Sequence, residues 1–488
     1  MPMHPRTPVL VGVAAVQQRE DDPTRALEPL ELMIRALEAA ADDAGCRELL
    51  TKADSVRAPR GFWDYPDPCR QIAVRFGAAN VHTLVAELGI LQTTLFGDAA
   101  RDIAGGRADI VLLTGGEAKY RALRSQITGV QAGLTKVAGE PDVVQRPTGE
   151  ILSAREINSG LAMPVNQYAM MENALRGAEG QTLDAHRREV AALWAGMSRV
   201  AAGNPDAWNR EGLAEDAIRE PVGKNRMLAF PYTKLHNSQW NVDQAAGLIL
   251  CSAETAERLG IDRDRWVLPL AVADSNLMIP MTERALPHRS FGFLHAGRRV
   301  FARVGADIAD VDYLELYSCF PIAVRAQMRE LGVDAARSVT STGGMAFGGG
   351  PLNNFVLQAM VKMAQTLRAD PGSLGLVTAV SGMLTKQGVS LWSTEPRGGS
   401  FVFDDVSDEV RRDSATRAIV DGASGDARVV TYTVLYSGDA PSQGILLCDV
   451  ADGRRALVDV RDPEILAAMT QEEYCGRDVR LVDGQLAA

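Results

Sequence analysis

The sequence is poor in the residues that carry nucleophilic and metal chemistry. It has six cysteines and six histidines in 488 residues. The cysteines stand apart at 46, 69, 251, 319, 448 and 475, with no CxxC pair and no tandem His/Cys spacing. That excludes a zinc ribbon, and no disulfide framework is written in the spacing, so a reducing cytoplasm is the expected setting. No apolar run is long enough to span a bilayer. The opening MPMHPRTPVLVGVAAVQQ runs straight into a strand-like stretch without the layout of a signal peptide. Basic residues are also outnumbered, 51 to 62, for a formal charge of -11. Such a charge repels nucleic acid and anionic lipid, and directs attention to small ligands and protein partners.

What is present is enough apolar residue for a large core, 46% of the chain, at a length that predicts two or three domains. PVLVGVAAV at 8–16 is a near-continuous apolar run, the mark of a strand covered on both faces. Leu30, Met33, Ile34, Leu37 and Ala41 then recur at helical spacing, with Pro29 placed for a first turn and Gly45 for a stop. The rhythm returns with a helix over 95–104 and a strand over 110–113, and again as strand, helix and strand over 311–317, 354–368 and 374–380. Two βαβ-rich halves follow, within 1–265 and 266–403. Residues 118–235 read as a mostly helical excursion from the first half. Beyond 403, a charged linker DDVSDEVRRD leads into short alternating strands separated by turn residues, which predicts a separate small OB-like β-barrel over 404–488.

Several motifs, in order, resemble the thiolase superfamily, closest to its sterol-carrier-type members: ELGILQTTLFGDAARDIAGGRADIVLLTGGEA, MPVNQYAMM, VDQAAGLIL, DIADVDYLELYSCFP, STGGMAFGGGP and GLVTAVSGML. Together they cover about residues 8–395. The resemblance implies a five-layered αβαβα fold of two related halves, with the active site where two core helices approach end to end. It implies acyl transfer through a nucleophilic cysteine, a second acid/base cysteine and supporting histidines. Carried onto this chain, the nucleophile falls at Gly89. The paired polar residues of the second motif become Tyr317 and Ser318, followed by a matching Cys319. The activating histidine falls at Gly350, and the second cysteine at Val380, two residues before Gly382, whose backbone N–H helps hold an oxyanion in the family. No catalytic residue is therefore assigned, and no metal.

Other residues admit two readings. Cys319 is the best remaining thiol, although free cysteine is usually a small buried hydrophobe. Cys69 follows Pro68 and reads as packing. His236 lies where the family brings pantetheine contacts, or is a satisfied core or surface group. Asn353 and Asn354 would cap the helix that follows, with amides at the pocket mouth as the alternative. Lys119, Arg121 and Arg124 form a solvated face or meet coenzyme A phosphates. The candidate substrate-binding set is thus His236, Tyr317, Ser318, Cys319, Asn353 and Gly382, with coenzyme A or an acyl-CoA as ligand and no covalent cofactor.

The tail resembles the OB-domain proteins that accompany archaeal thiolases, without their zinc-ribbon cysteines. Between 421 and 488 it holds six arginines, no lysine and twelve acidic residues, which opposes nucleic acid. The expected protein binds an acyl thioester, or an enzyme that handles one, without thiolase turnover. The alternatives are a different acyl-CoA reaction using backbone donors and Tyr317, and a docking scaffold built on the barrel. Family members pair through an edge strand near 81–88, so a dimer is expected unless the barrel covers that edge.

Overall fold

A computed structural model describes residues 3–78 and 80–487. Three sheets organise the chain. In the first, the strands run Pro8–Gln18, Asp243–Ser252, Ile110–Ala118, Ser55–Pro59, His82–Ala86 and Val143–Gln145. In the second they run Tyr313–Glu315, Gly375–Ser381, Lys386–Ser393, Leu268–Ser275 and Val402–Asp405.

The two sheets share a pattern. Ser55–Pro59 pairs in parallel with Ile110–Ala118, which pairs antiparallel with Asp243–Ser252, which pairs antiparallel with Pro8–Gln18. The second sheet repeats parallel, antiparallel, antiparallel in the same chain order from Tyr313–Glu315 to Leu268–Ser275. The two related halves are therefore visible as topology. Their central strands are buried along their whole length, which is what continuous apolar runs require.

Helices Gln92–Ala104 and Phe355–Ala369 form the middle layer between the sheets. Helix Pro29–Asp43 lies outside the first sheet and Phe291–Val304 outside the second, giving αβαβα. The first of these outer helices begins with Pro29 and ends where Gly45 adopts φ 68°, as the sequence predicts.

The stretch expected as a charged linker is not one. Val402–Asp405 adds a parallel strand beside Leu268–Ser275, and Phe403 packs where Gly97 leaves room, since a Cβ there would come within 2.8 Å of the ring. Helix Ser407–Asp413 follows and is tied to Phe291–Val304 through His295 to Asp413 at 2.7 Å and Arg299 to Glu409 at 2.8 Å. Alternating charge masked a strand whose one aromatic points inward.

The third sheet holds the tail, ordered Arg455–Val460, Ala440–Val450, Gly425–Ser437, Asp478–Val482 and Gln485–Leu486, with helix Pro463–Gln471 against it. Among the described residues no ladder joins the two ends, yet Arg455–Val460 and Gln485–Leu486 lie against each other, so the expected small barrel is a curled antiparallel sheet without ladder closure. Nor does it stand apart. Ala229, from the helical excursion, pairs with Leu435, and Phe230 donates its N–H to Val434 at 2.8 Å. Arg176, fully buried on helix Pro164–Glu179, bonds Glu473 through Nε and Nη2 at 2.8 and 2.9 Å and reaches the Tyr432 hydroxyl. Asn173 reaches the Tyr432 carbonyl at 2.7 Å.

The edge His82–Ala86 is covered, though not by the tail. Val143–Gln145 pairs with it in parallel, Leu84 opposite Val143 and Ala86 opposite Gln145. Asp142 fixes the register: its carboxylate accepts from the Thr83 N–H at 2.8 Å and from Arg70 at 2.7 Å, and these bonds hold it below its ordinary pKa. A three-residue strand makes a poor template for further pairing.

Two outcomes follow. Chemical denaturation should show one cooperative transition for body and tail together, and Arg176→Ala should lower stability by roughly 3 kcal/mol because Glu473 loses its partner. Sedimentation velocity should give the mass of one chain, and Asp142→Ala should lower stability by ~1–3 kcal/mol while raising the self-associated fraction.

Candidate functional site

The site expected from the sequence lies where the N-termini of Gln92–Ala104 and Phe355–Ala369 meet, and the side chains there are engaged with one another. Gln92 donates to the Asn353 carbonyl at 3.0 Å. Thr93 and Thr94 donate to the two oxygens of Asp274 at 2.7 and 2.5 Å. Burial pushes the Asp274 carboxyl up to about 7.

Gly89 precedes this helix, with φ 102°, a conformation that a cysteine would strain to adopt. A Cβ at 89 would also lie 2.8 Å from Pro147 Cγ and 3.6 Å from Ile151 Cδ1. Both belong to the segment that continues from the covering strand Val143–Gln145. The Gly89 carbonyl accepts from Lys386 Nζ at 2.9 Å. Lys386 is 1% exposed, and burial lowers the pKa of its amine.

The other positions are similarly packed. A Cβ at Gly350 would stand 1.9 Å from Ser238 Oγ. Val380 is a buried strand residue opposite Gln387. Gly382 has φ 63°, and a Cβ there would meet Thr385 at 2.7 Å and Met278 at 3.3 Å. Its carbonyl accepts from the Tyr168 hydroxyl at 3.4 Å, which in turn accepts from the Leu384 N–H at 3.1 Å. Tyr317 sets its ring edge-on to Phe355 and its N–H on Thr378 Oγ1 at 2.8 Å. Ser318 Oγ accepts from the Met345 N–H at 3.0 Å, which fixes the glycine-rich loop. Cys319 is buried, and burial pushes its thiol up to about 12. The fold thus gathers Gly89, Tyr317, Ser318, Cys319, Asn353 and Gly382 around the helix ends, among buried side chains both apolar and polar.

Three expectations change. Asn353 and Asn354 do not cap their helix through their side chains. Asn353 sits at φ 56° and donates from Nδ2 to the Arg60 carbonyl at 2.9 Å, while Asn354 is buried beside Gly115. His236 is not with the others. It closes its own short turn, its Nδ1 accepting from the Thr233 N–H at 3.1 Å, and lines a separate cavity. The basic run is not a uniform solvated face. Arg121 is spent on main-chain carbonyls and Arg124 on Asp21. Lys119 places Nζ 4.4 Å from the Phe62 ring centre and 5.6 Å from that of Trp240, two aromatics that remain about half exposed. Cys69 is buried packing with its thiol on the Leu84 carbonyl, as expected.

Sequence reasoning missed Lys386, Asp274, Pro147 and Met278. Lys386 carried a signal, a lone lysine entering the apolar strand KQGVSLWS. The other three act by touching distant segments, which no local spacing records.

Residues 405–485 match the family model for the additional C-terminal domain of thiolase-like protein type 1. Over all of both chains the protein is similar to a monomeric SCP2-thiolase like protein type 1 from Mycobacterium smegmatis, at 26% identity and a TM-score of 0.84. Acetyl-CoA acetyltransferase from Syntrophomonas wolfei is 18% identical, with 80% of this chain and 99% of that one covered and a TM-score of 0.58. Acat5 thiolase from Ascaris suum, in complex with coenzyme A, is 15% identical over 79% and 99%, with a TM-score of 0.55. These last two share the fold alone. No curated protein matches by sequence. The chain is a thiolase-fold protein. More narrowly, it is similar along its whole length to an SCP2-thiolase like protein type 1, and its residues 405–485 match the type 1 additional C-terminal domain.

In the native protein, iodoacetamide at pH 8 should leave Cys319 unmodified, since a buried thiol with a pKa near 12 supplies almost no thiolate. Peptide mass spectrometry should find Cys319 labelled only after unfolding.

Proposed function

We propose that this protein binds coenzyme A or an acyl-CoA and does not turn it over by thiolysis or Claisen condensation. The observation that carries this reading is steric. Three of the four positions where the family resemblance puts a reactive side chain either leave no room for one or hold an apolar residue: Pro147 fills the space beside Gly89, Ser238 that beside Gly350, and Val380 packs in its strand, while the fourth holds Tyr317 and Ser318. Acyl transfer needs a thiolate and a base within hydrogen-bond reach of each other.

Support for the ligand comes from outside that filled centre. Trp240 follows Gln239, whose carbonyl accepts the Gly350 N–H at 2.8 Å, so the Lys119, Phe62 and Trp240 cluster adjoins the vacated loop. Two half-exposed rings with an ammonium between them suit a flat aromatic base carrying a phosphate. The Ascaris suum relative, of the same fold, is known in complex with coenzyme A. Docking through the additional domain is the lesser reading, because its inner face is committed to helix Pro164–Glu179 and leaves only the outer faces free.

Calorimetry should show coenzyme A binding that Lys119→Ala weakens about tenfold and Tyr317→Phe leaves unchanged. Acetoacetyl-CoA thiolysis and acetyl-CoA condensation should stay at background in the native protein. They should stay there in Gly89→Cys as well, which should also lose ~1–3 kcal/mol of stability to overpacking. Turnover near ~1 per second by the native protein would overturn the reading.

A further inference from the structure

A buried carboxyl group adjoins the Lys119, Phe62 and Trp240 cluster. Glu117 lies near the end of the central strand Ile110–Ala118 and is 1% exposed. The turn that follows Pro59 closes onto this strand at two successive residues: Trp63 Nε1 donates to the Gly116 carbonyl at 2.9 Å, and the Phe62 N–H donates to Glu117 Oε1 at 2.8 Å. Among the described residues the Phe62 N–H has no other partner. Gly61 permits the approach, because a Cβ there would lie 2.3 Å from Trp63 Nε1 and 2.5 Å from Glu117 Oε1. Trp63 is thereby turned inward, at 5% exposure, and Phe62 outward, at 48%.

The opposite ring is fixed independently. Gln239 donates to the Met345 carbonyl at 2.9 Å and accepts from the Gly350 N–H at 2.8 Å, so the glycine-rich loop carries Trp240. The two rings meet edge to face with 5.8 Å between centres. A ring on a turn has a defined place only when its supporting contacts hold the turn. Phe62 therefore depends on Glu117 for where it meets Trp240.

Charged groups flank Glu117 on several sides. Lys119 lies two residues on, Asp243 lies on the adjoining strand opposite Ala118, and Arg60 begins the turn and is paired with Glu87. Asp243 accepts from the Arg121 N–H at 3.0 Å and from Gln18 Nε2 at 3.1 Å. Helix Pro29–Asp43 meets this part of the strand through the apolar Met33, and Arg57 of the neighbouring strand is turned to Asp102. Burial pushes the Glu117 carboxyl up to about 8, against the Phe62 hydrogen bond and the Lys119 charge, and Asp243 adds to the rise. Glu117 is thus mostly protonated at neutral pH, and the Lys119 charge is not cancelled from below. A carboxyl and a carboxylate both accept from the Phe62 N–H, so titration changes the charge and not the contact.

We propose that Glu117 is the positioning residue of this clamp and couples anion binding there to a proton: it holds Phe62 opposite Trp240, and while protonated it leaves the Lys119 ammonium free to pair with a phosphate. The coupling rests on the coenzyme A reading for its ligand, whereas the seating of Phe62 stands without it.

The test is calorimetry with acetyl-CoA at pH 7, 8 and 9, the thioester removing the titration of a free thiol. The 19F resonance of Trp240 is followed in the full chain made with 5-fluorotryptophan. Affinity of the native protein should fall about tenfold from pH 7 to pH 9 as Glu117 ionises beside Lys119. The same fall should appear in Lys119→Arg, whose guanidinium keeps its charge throughout, and not in Glu117→Gln. At pH 7 Glu117→Ala should bind about tenfold more weakly and displace the Trp240 resonance. Glu117→Gln, whose amide oxygen still accepts, should restore both. Affinity that is flat across this range in the native protein, or that falls equally in Glu117→Gln, would overturn the coupling. An unmoved Trp240 resonance in folded Glu117→Ala would overturn the positioning role. No acetyl-CoA binding at any pH, with the Trp240 response as expected, would overturn the coenzyme A reading and the coupling with it, and leave the seating of Phe62 standing.

Discussion

The pairing of Val143–Gln145 with His82–Ala86 is the constraint on which the rest of the molecule depends. A sheet edge with free N–H and C=O groups must be paired, covered or blunted, and here a strand from the chain's own helical excursion pairs it. Because Asp142 clamps the entry to that strand, the residues that leave it have little choice of path. They run over the turn before helix Gln92–Ala104, and Pro147 and Ile151 come to rest against Gly89. One segment thus pairs the edge of the first sheet and fills the space beside Gly89. The two packings share a cause in covalent connectivity.

The additional domain is held by a comparable economy. Arg176 reaches it from a helix that also sends Asn173 to the Tyr432 carbonyl, and Ala229 and Phe230 lend it main-chain partners. A buried guanidinium with a bidentate carboxylate is strongly directional. The junction therefore has a defined geometry, and the cavity between His186, His236 and Thr470 is a consequence of that geometry.

Much of the fold was legible in the sequence because continuous apolar strands and 3.6-residue periodicity are local signals. The runs read at 8–16, 110–113 and 374–380 fall in strands, and Pro29 and Gly45 bound the first outer helix. That positions 89, 350 and 380 hold glycine, glycine and valine is likewise read directly from the sequence. What could not be read was what fills them. Pro147 lies 58 positions from Gly89, and Met278 lies 104 from Gly382, by subtraction of their numbers. The strand Val402–Asp405 was hidden for a related reason: its pattern is judged by the strand it joins, and its acidic residues mimic a linker. Asn353 defeated the capping expectation because its backbone turned left-handed to reach Arg60.

The filling of the centre by Pro147, Ser238 and Met278, from three separate stretches of chain, has an evolutionary meaning. A single codon change could place a cysteine at position 89, but the side chain would arrive in a space already owned by another residue. Accepting it would demand several coordinated changes, each neutral or harmful alone, while every further adjustment among the occupants deepens the commitment. The packing therefore works as a ratchet: small steps that fit the occupants to one another are easy, and the same route is closed to any one larger side chain.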